Sequence, residues 1–515
     1  MLALPLHGLG VQGVDKYTAR ENLPVTKLAV CRNCRSFKGK IETAPGLTAF
    51  VSQTLDGRPL GFLWWQRNDL QQILTAVTTT KLYRFNTATL VFDDRSHSAG
   101  DYTGGSGNFW DFVAFNGNAY FTNGLETIQK ENGESANVTD ISGSGAPLTA
   151  LTLGQLQTYL VAAYVDGDSR KIQWPDTGSD SVWNSGDAGN LSLYQDPGEI
   201  YKILNLGEFG VVYRPWGIHI LFYIGPPFIF AQRQVVSRYG IIGKRAVAEF
   251  GQARHAYWSW DGFYLFDGVT PQRFGQEVFD AVMEDIDPQW IQASQVFVNI
   301  KDREIFFAYP KSGDDGVCKQ AAVWNYQDNT WEHPREFTVT TAGPWRRFQD
   351  ITWDTAVGTW AGTLGSWLEQ VKASDSNPVV LVGTDAGAVR FLDRDVVNEA
   401  GTARTRRIET ALFNPSSLLW NRQGEKATLN RIDIDQENKG SYNLEVYVGT
   451  QNVLRGDADI TWSSTYTLAA SGATRSIPVR HTGVYFAFRI QTTGVSQPFR
   501  LSRLTGYFVP RGAHA

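Results

Sequence analysis

Short apolar and aromatic runs, each stopped by Gly, Asn or Asp, recur from about residue 44 onward. A chain punctuated this often leaves little room for long helices, and the runs have the length of strands. Gly61-Phe62-Leu63-Trp64-Trp65, Ile73-Leu74-Thr75-Ala76-Val77 and Lys81-Leu82-Tyr83-Arg84-Phe85 follow one another closely. Phe112-Val113-Ala114-Phe115 and Ala119-Tyr120-Phe121 are joined through Asn116-Gly117-Asn118. Asn-Gly between two apolar runs predicts a hairpin, because a type I′ turn needs positive φ at both central residues.

The pattern persists through Phe209–Tyr213, Gly217–Tyr223, Val296–Ile300, Glu304–Tyr309 and Ala321–Tyr326. Between Ala256 and Gly268 the chain reads as strand, Asp261-Gly262 turn, strand, Asp267-Gly268 turn. Three units look alike, each an aromatic strand followed by a polar turn: Tyr83-Arg84-Phe85-Asn86-Thr87, Tyr264-Leu265-Phe266-Asp267-Gly268 and Trp324-Asn325-Tyr326-Gln327-Asp328-Asn329. Propeller blades leave such degenerate recurrence at a period of about 40 to 50 residues, although these three are unevenly spaced. A β-sandwich shows the same alternation. The expected class is all-β, a β-propeller with a C-terminal antiparallel β-sandwich-like domain, and the length allows roughly six to eight four-stranded blades.

Composition agrees with that class. Of 515 residues 13% are aromatic and 50 are Gly, while only 2 are Met and 19% are charged. Aromatics and glycines with few charges favour strands and tight turns over helices. One helix is predicted where Val278, Phe279, Val282, Met283 and Ile286 fall at helical spacing before Asp287-Pro288.

The organisation reads as three parts. Residues 1–43 form an N-terminal arm, 44–400 the propeller, and 401–515 a C-terminal β domain opened by Arg404, Arg406 and Arg407. Strands in the last part are expected at Leu429–Ile434, Asn443–Val448, Val484–Ile490 and Leu501–Phe508, with turns near Gly440 and Gly472. Alternation along them predicts one buried and one wet face.

The net charge of −5 and the absence of any long basic run argue against tight wrapping of nucleic acid, which needs a concentrated Lys/Arg face. A channel through which DNA slides is compatible with a neutral or acidic wall. Three cysteines, Cys31, Cys34 and Cys318, are too few and too odd in number for a disulfide framework. The N-terminus lacks the basic and apolar regions of a signal peptide, and no segment approaches the roughly 18 apolar residues of a membrane span.

Candidate chemistry is sparse. Cys31-Arg32-Asn33-Cys34 has the spacing of half a zinc site without a second pair, so free thiols are expected. The histidines at 7, 97, 219, 255, 333, 481 and 514 are scattered, and His219, in an apolar run, reads as a hydrogen-bonded core residue. Asp261 and Asp267 read as turn residues accepting backbone hydrogen bonds. Asp176, Asp180 and Asp187 punctuate a Gly/Ser-rich loop around Trp174 and Trp183 without the order of a sialidase aspartate box. Arg346-Arg347 and Arg404/Arg406/Arg407 are the main basic clusters, expected on a solvated face or against an acidic partner. No catalytic, cofactor-binding or metal-binding residue is assigned.

Taken together, three segments resemble the tail nozzle proteins (tail hub, or packaged-DNA stabilisation proteins) of short-tailed bacteriophages. The first runs from Asn22-Leu23-Pro24 through Cys31-Arg32-Asn33-Cys34-Arg35 and Gly39-Lys40 to Pro45-Gly46. The second is Lys171-Ile172-Gln173-Trp174-Pro175-Asp176 with Val182-Trp183-Asn184, and the third Tyr257-Trp258 with Asp261–Gly268. The resemblance covers most of residues 1 to about 340. It implies a non-enzymatic homo-oligomeric ring, a hexamer, in the virion tail beneath the portal and adaptor rings. Such a ring would meet tail fibre proteins, hold genome DNA and pass it on ejection, after synthesis in the host cytoplasm. Two other expectations stand beside it. A propeller glycosidase or depolymerase needs convergent carboxylates, and a carbohydrate- or receptor-binding tail protein needs exposed Trp platforms such as Trp174 and Trp183.

Overall fold

The computed structural model describes residues 1–97, 100–134, 136–251, 253–346, 378–437, 439–454, 456, 459–472 and 475–511. The chain is all-β, built from many small antiparallel sheets. Among the described residues, seven groups of four consecutive neighbours follow one another in order. The first three are Pro59–Gln66 to Val91–Asp94, Asp111–Phe115 to Thr139–Asp140, and Ala150–Leu156 to Gly189–Ser192. The fourth, fifth and sixth are Lys202–Leu206 to Ile229–Ser237, Val247–Phe250 to Gln272–Phe274, and Gln295–Asn299 to Thr330–Val339. The seventh differs. Thr341–Trp345, Val379–Gly383 and Ala388–Asp393 are completed by Gly46–Thr54, from the opposite end of the chain.

Local chemistry sets the strands. Phe115 pairs with Asn118, leaving Asn116 and Gly117 as a two-residue turn with φ of 48° and 70°, the type I′ geometry expected from the sequence. The three look-alike units all fall at the third strand of their sheets, Leu82–Asn86, Gly262–Phe266 and Cys318–Asn325. They belong to the first, fifth and sixth sheets, which makes their spacing uneven.

First strands of successive sheets pack on one another, Pro59–Gln66 on Asp111–Phe115 and Asp111–Phe115 on Ala150–Leu156 among them, and two glycines allow the close approach. A Cβ at Gly61 would stand 2.8 Å from the Phe112 ring of the second sheet, and one at Gly343 would stand 2.7 Å from Phe62. The seventh sheet therefore returns to the first, where Trp64 and Trp345 meet edge-on at 6.5 Å. Sheets four and five are tied by His255, whose Nε2 donates to the Asn205 carbonyl while Nδ1 accepts from the Tyr213 hydroxyl.

The stretch read as an arm is built into sheets. Leu28–Arg32 pairs with Thr330–Val339 of the sixth sheet on one side and Arg406–Thr410 on the other, so the sixth sheet runs on into a C-terminal one. That continuation includes Tyr485–Thr492 and Asn443–Gln451. A second C-terminal sheet joins Cys34–Phe37, Lys40–Thr43, Arg500–Pro510, Ala427–Gln436 and Ser476–Gly483, with Leu2–Leu6 also on Arg500–Pro510. Leu429, Ile432, Ile434, Val446, Val448, Phe488, Ile490 and Phe508, drawn from both sheets, share one buried core. The predicted helix spans Gln276–Asp285, burying Val278, Phe279 and Val282. No helix among the described residues is long and apolar enough to cross a membrane.

Candidate functional site: a buried ionic junction and a loop-face groove

The junction between the N-terminal stretch, the sixth and seventh sheets and the C-terminal sheets is ionic and buried. Arg35 Nη1 donates to Glu304 Oε1 at 2.9 Å and lies 3.1 Å from Asp302, while its Nε donates to Glu42 at 2.9 Å. Arg335 Nη1 reaches the other Glu304 oxygen at 2.9 Å, and Nη2 donates to Glu332. Arg394 Nε closes on Asp302 at 2.5 Å. Burial pushes the Asp302 carboxyl up, but Arg35 and Arg394 outweigh it and hold it below the usual carboxylate range. Glu332 goes the other way. Burial raises it to about 8, and the neighbouring Glu304 charge adds to that against the pull of Arg335.

Beside this network Arg32 forms a bidentate pair with Glu336, at 3.0 and 2.7 Å. Asn33 donates to Glu336 and to the Thr405 carbonyl, both at 2.8 Å, and accepts from the Glu336 N–H. Lone removal of any buried member would leave a charge uncompensated in the interior.

Cys31 and Cys34 sit within this junction as free buried thiols, and Cys31 Sγ donates to the Cys34 carbonyl at 3.1 Å. Burial drives both thiols up and pushes Cys318 up to about 12. Among the described residues no group of three His, Cys, Asp or Glu side chains is placed to hold a metal.

The basic cluster at 404–407 corrects the sequence expectation of a solvated or partner-facing patch. Arg404 donates to the carbonyls of Glu336, Pro45 and Val397, and Arg406, fully buried, to those of Val397, Gly494 and Val495. These guanidiniums satisfy carbonyls where the chain passes between sheets. Arg407 lies against Glu409 at 3.4 Å. Arg347 and His514 lie outside the described residues.

Trp174 and Trp183 also overturn an expectation, being 2% and 3% exposed. Their indole N–H groups donate to the Asp187 and Asp180 carbonyls, and Trp174 packs edge-on against Phe230 at 5.0 Å. Neither ring is a platform. Asp176 and Asp180 are engaged locally, the first by the Asp187 N–H and the second by Lys130 and the Tyr120 hydroxyl. Asp267 accepts from the Val269 and Thr270 N–H groups. Asp261 does not follow suit, since its carboxylate accepts from the Tyr264 hydroxyl at 2.9 Å. His219 is buried, held by Asp196 at 2.9 Å and Gln232 at 3.1 Å.

A groove opens where sheets two to five present the connections before their first strands and between their second and third strands. Antiparallel order brings these two kinds of loop to one side. Beneath it polar contacts tie the first strands of neighbouring sheets. Asp111 pairs with Lys202, accepts from the Thr152 hydroxyl and accepts from the Leu153 N–H at 3.1 Å. The Arg245 guanidinium stacks 3.7 Å above the Phe109 ring and donates to the Thr340 carbonyl at 2.6 Å.

Above that floor a cavity of about 280 Å³ is lined by Asn108, Thr149, Tyr164, Glu199 and Lys244 among others. A second, of about 420 Å³, shares Tyr164, Gly167 and Glu199 and extends past Arg170 to Pro215. Burial lowers the Lys244 ammonium, opposed by the Glu199 charge. Immediately beyond Pro215, Trp216 is 45% exposed and lies parallel to Trp260, 37% exposed, with centroids 6.0 Å apart and planes at 14°. Both stand at two-residue turns, Pro215-Trp216 between Arg214 and Gly217, and Trp260-Asp261 between Ser259 and Gly262. The second turn lies one residue earlier than the Asp-Gly dipeptide implied, and this shift puts Trp260 at the tip.

No protein-family model matches the chain, and no curated protein sequence matches it.

Proposed function

We propose that the seven sheets are blades of a β-propeller closed by Gly46–Thr54, carrying a C-terminal β-sandwich. On this reading the chain is a non-enzymatic structural subunit of a phage tail nozzle. The propeller is supported by the contacts between first strands of successive sheets and by the seventh sheet's return to the first through Gly343, Phe62, Trp345 and Trp64. The nozzle reading rests on one observation. The stretch Arg32-Asn33-Cys34-Arg35, which carries the family resemblance, supplies the side chains that lock the N-terminal strands to the sixth sheet and the C-terminal sheets. A subunit that holds pressurised DNA needs such rigidity more than it needs a reactive cleft. In the virion tail the subunit would form a homo-oligomeric ring, a hexamer, on the tail axis. It would contact portal or adaptor and tail fibre proteins and conduct genome DNA, after synthesis in the host cytoplasm.

Electron microscopy of the particle carrying the protein tests this directly. Ring-shaped density on the tail axis is expected. A purified monomer that cleaves polysaccharide, or density confined to peripheral fibres, overturns it.

A further inference from the structure

We propose that the loop-face groove, from Lys244 past Glu199 and Arg170 to the Trp216/Trp260 pair, binds an acidic oligosaccharide. The argument begins with the tryptophans. Parallel rings in contact at about 3.5 Å with centroids 6.0 Å apart must be offset sideways by roughly 5 Å, so each leaves part of a face open. Nearly half of Trp216 remains in solvent although the fold buries other tryptophans almost completely. A flat, rigid, half-wet indole suits the apolar face of a sugar ring, which presents C–H groups in a plane and hydroxyls at its edge.

The groove beside the pair supplies the hydroxyl partners. The Tyr164 hydroxyl is paired with the Glu199 carboxylate, whose charge also faces the Lys244 ammonium, and the Arg170 guanidinium stands in solvent at the groove's edge. The Arg170 guanidinium lies over the exposed Tyr194 ring, 6.0 Å from its centroid. A tyrosine–carboxylate pair, an ammonium and a guanidinium along one groove suit a polar ligand with many hydrogen-bonding groups. Two cations against one carboxylate give the groove a positive excess, which selects an oligosaccharide bearing carboxylates over a neutral one. The two adjoining cavities, sharing Tyr164 and Glu199, provide length for more than one sugar unit.

This site does not depend on the ring assembly. The full-length protein is screened against an array of acidic and neutral bacterial polysaccharides, and hits are titrated as oligosaccharides by tryptophan fluorescence. Saturable binding of acidic members is expected. Trp216→Ala and Arg170→Ala should each weaken it by about tenfold, with thermal melting unchanged because both side chains are exposed. Lys244→Ala, at the far end, should weaken longer oligosaccharides more than short ones. The proposal is overturned if no array member binds at millimolar concentration, if neutral glycans bind as well as acidic ones, or if Trp216→Ala leaves affinity unchanged. Loss of self-association in Trp216→Ala with a silent array would make the pair a subunit contact and also overturn it.

Discussion

Arg35 and Glu304 are separated by 269 residues of chain and joined by a hydrogen bond of 2.9 Å in the interior. Each has a second partner, Glu42 for Arg35 and Arg335 for Glu304, so the pair sits inside a network. Removing one partner alone strands the other charge, at a cost of about 3–5 kcal/mol. Arg35→Ala and Glu304→Ala should each lower stability by that amount in denaturant titration. The double variant should lose less than the sum, with a coupling of about 1–3 kcal/mol. Additive losses would show that the contact is not energetically coupled.

Glu332 gives the network a pH dependence. Its carboxyl is raised from the usual range to about 8, so between those values the folded state holds a proton that the unfolded state releases. The associated stability is fully present below about pH 4.5 and lost as pH rises through 8. The melting temperature of the wild type should fall relative to Glu332→Gln across this window, since the amide stands in for the protonated acid. Parallel curves for the two proteins would refute the assignment.

Two histidines act on the acid side. Burial holds His255 down at about 4 and His333 at about 3, the latter 2.7 Å from the Tyr309 hydroxyl. Depressed values mean stability that is present above the unfolded value of about 6.5 and lost as pH falls through 4 and 3. His255→Gln should flatten the acid limb of the stability profile. The imidazole NMR signals of His255 and His333 should stay neutral at pH 5, and titration of His255 near 6.5 would contradict the burial argument.

The three thiols offer the simplest measurement. Cys31, Cys34 and Cys318 are buried and reduced in character, and burial raises all three. A disulfide-exchange reagent at pH 8 should find no fast-reacting thiol in the folded protein and three after denaturation. A chelator should leave the melting temperature unchanged. Fast reaction of one native thiol would place it at a surface.

The strand grammar was legible because its signals are local. Asn116-Gly117 demands a two-residue turn, and Val278 to Ile286 marks a helix by spacing alone. Long-range placement was not. Nothing near Arg404 or Arg406 announces the carbonyls they bind, contributed by Pro45, Val397, Gly494 and Val495. Trp174 and Trp183 looked like loop residues by their Gly/Ser neighbours, yet their indoles fill the core between strands. A signal for Trp216 was present in Arg214-Pro215-Trp216-Gly217, where Pro fixes the turn and leaves the next side chain outside. Glu199, Tyr164 and Lys244 share a cavity only because separate sheets deliver them, and no spacing rule connects them.

The strand Gly46–Thr54 has a consequence for synthesis. Thr48 donates its hydroxyl hydrogen bond to Asp393, 345 residues later. At about 5–20 residues per second, roughly 20–70 seconds pass between the emergence of the two from the ribosome. Throughout that interval the early strand lacks its ladder partner, and the late three strands arrive one short. Completion of the seventh sheet therefore joins an early segment to one made most of a chain later, and the waiting strand is where a chaperone would be of most use.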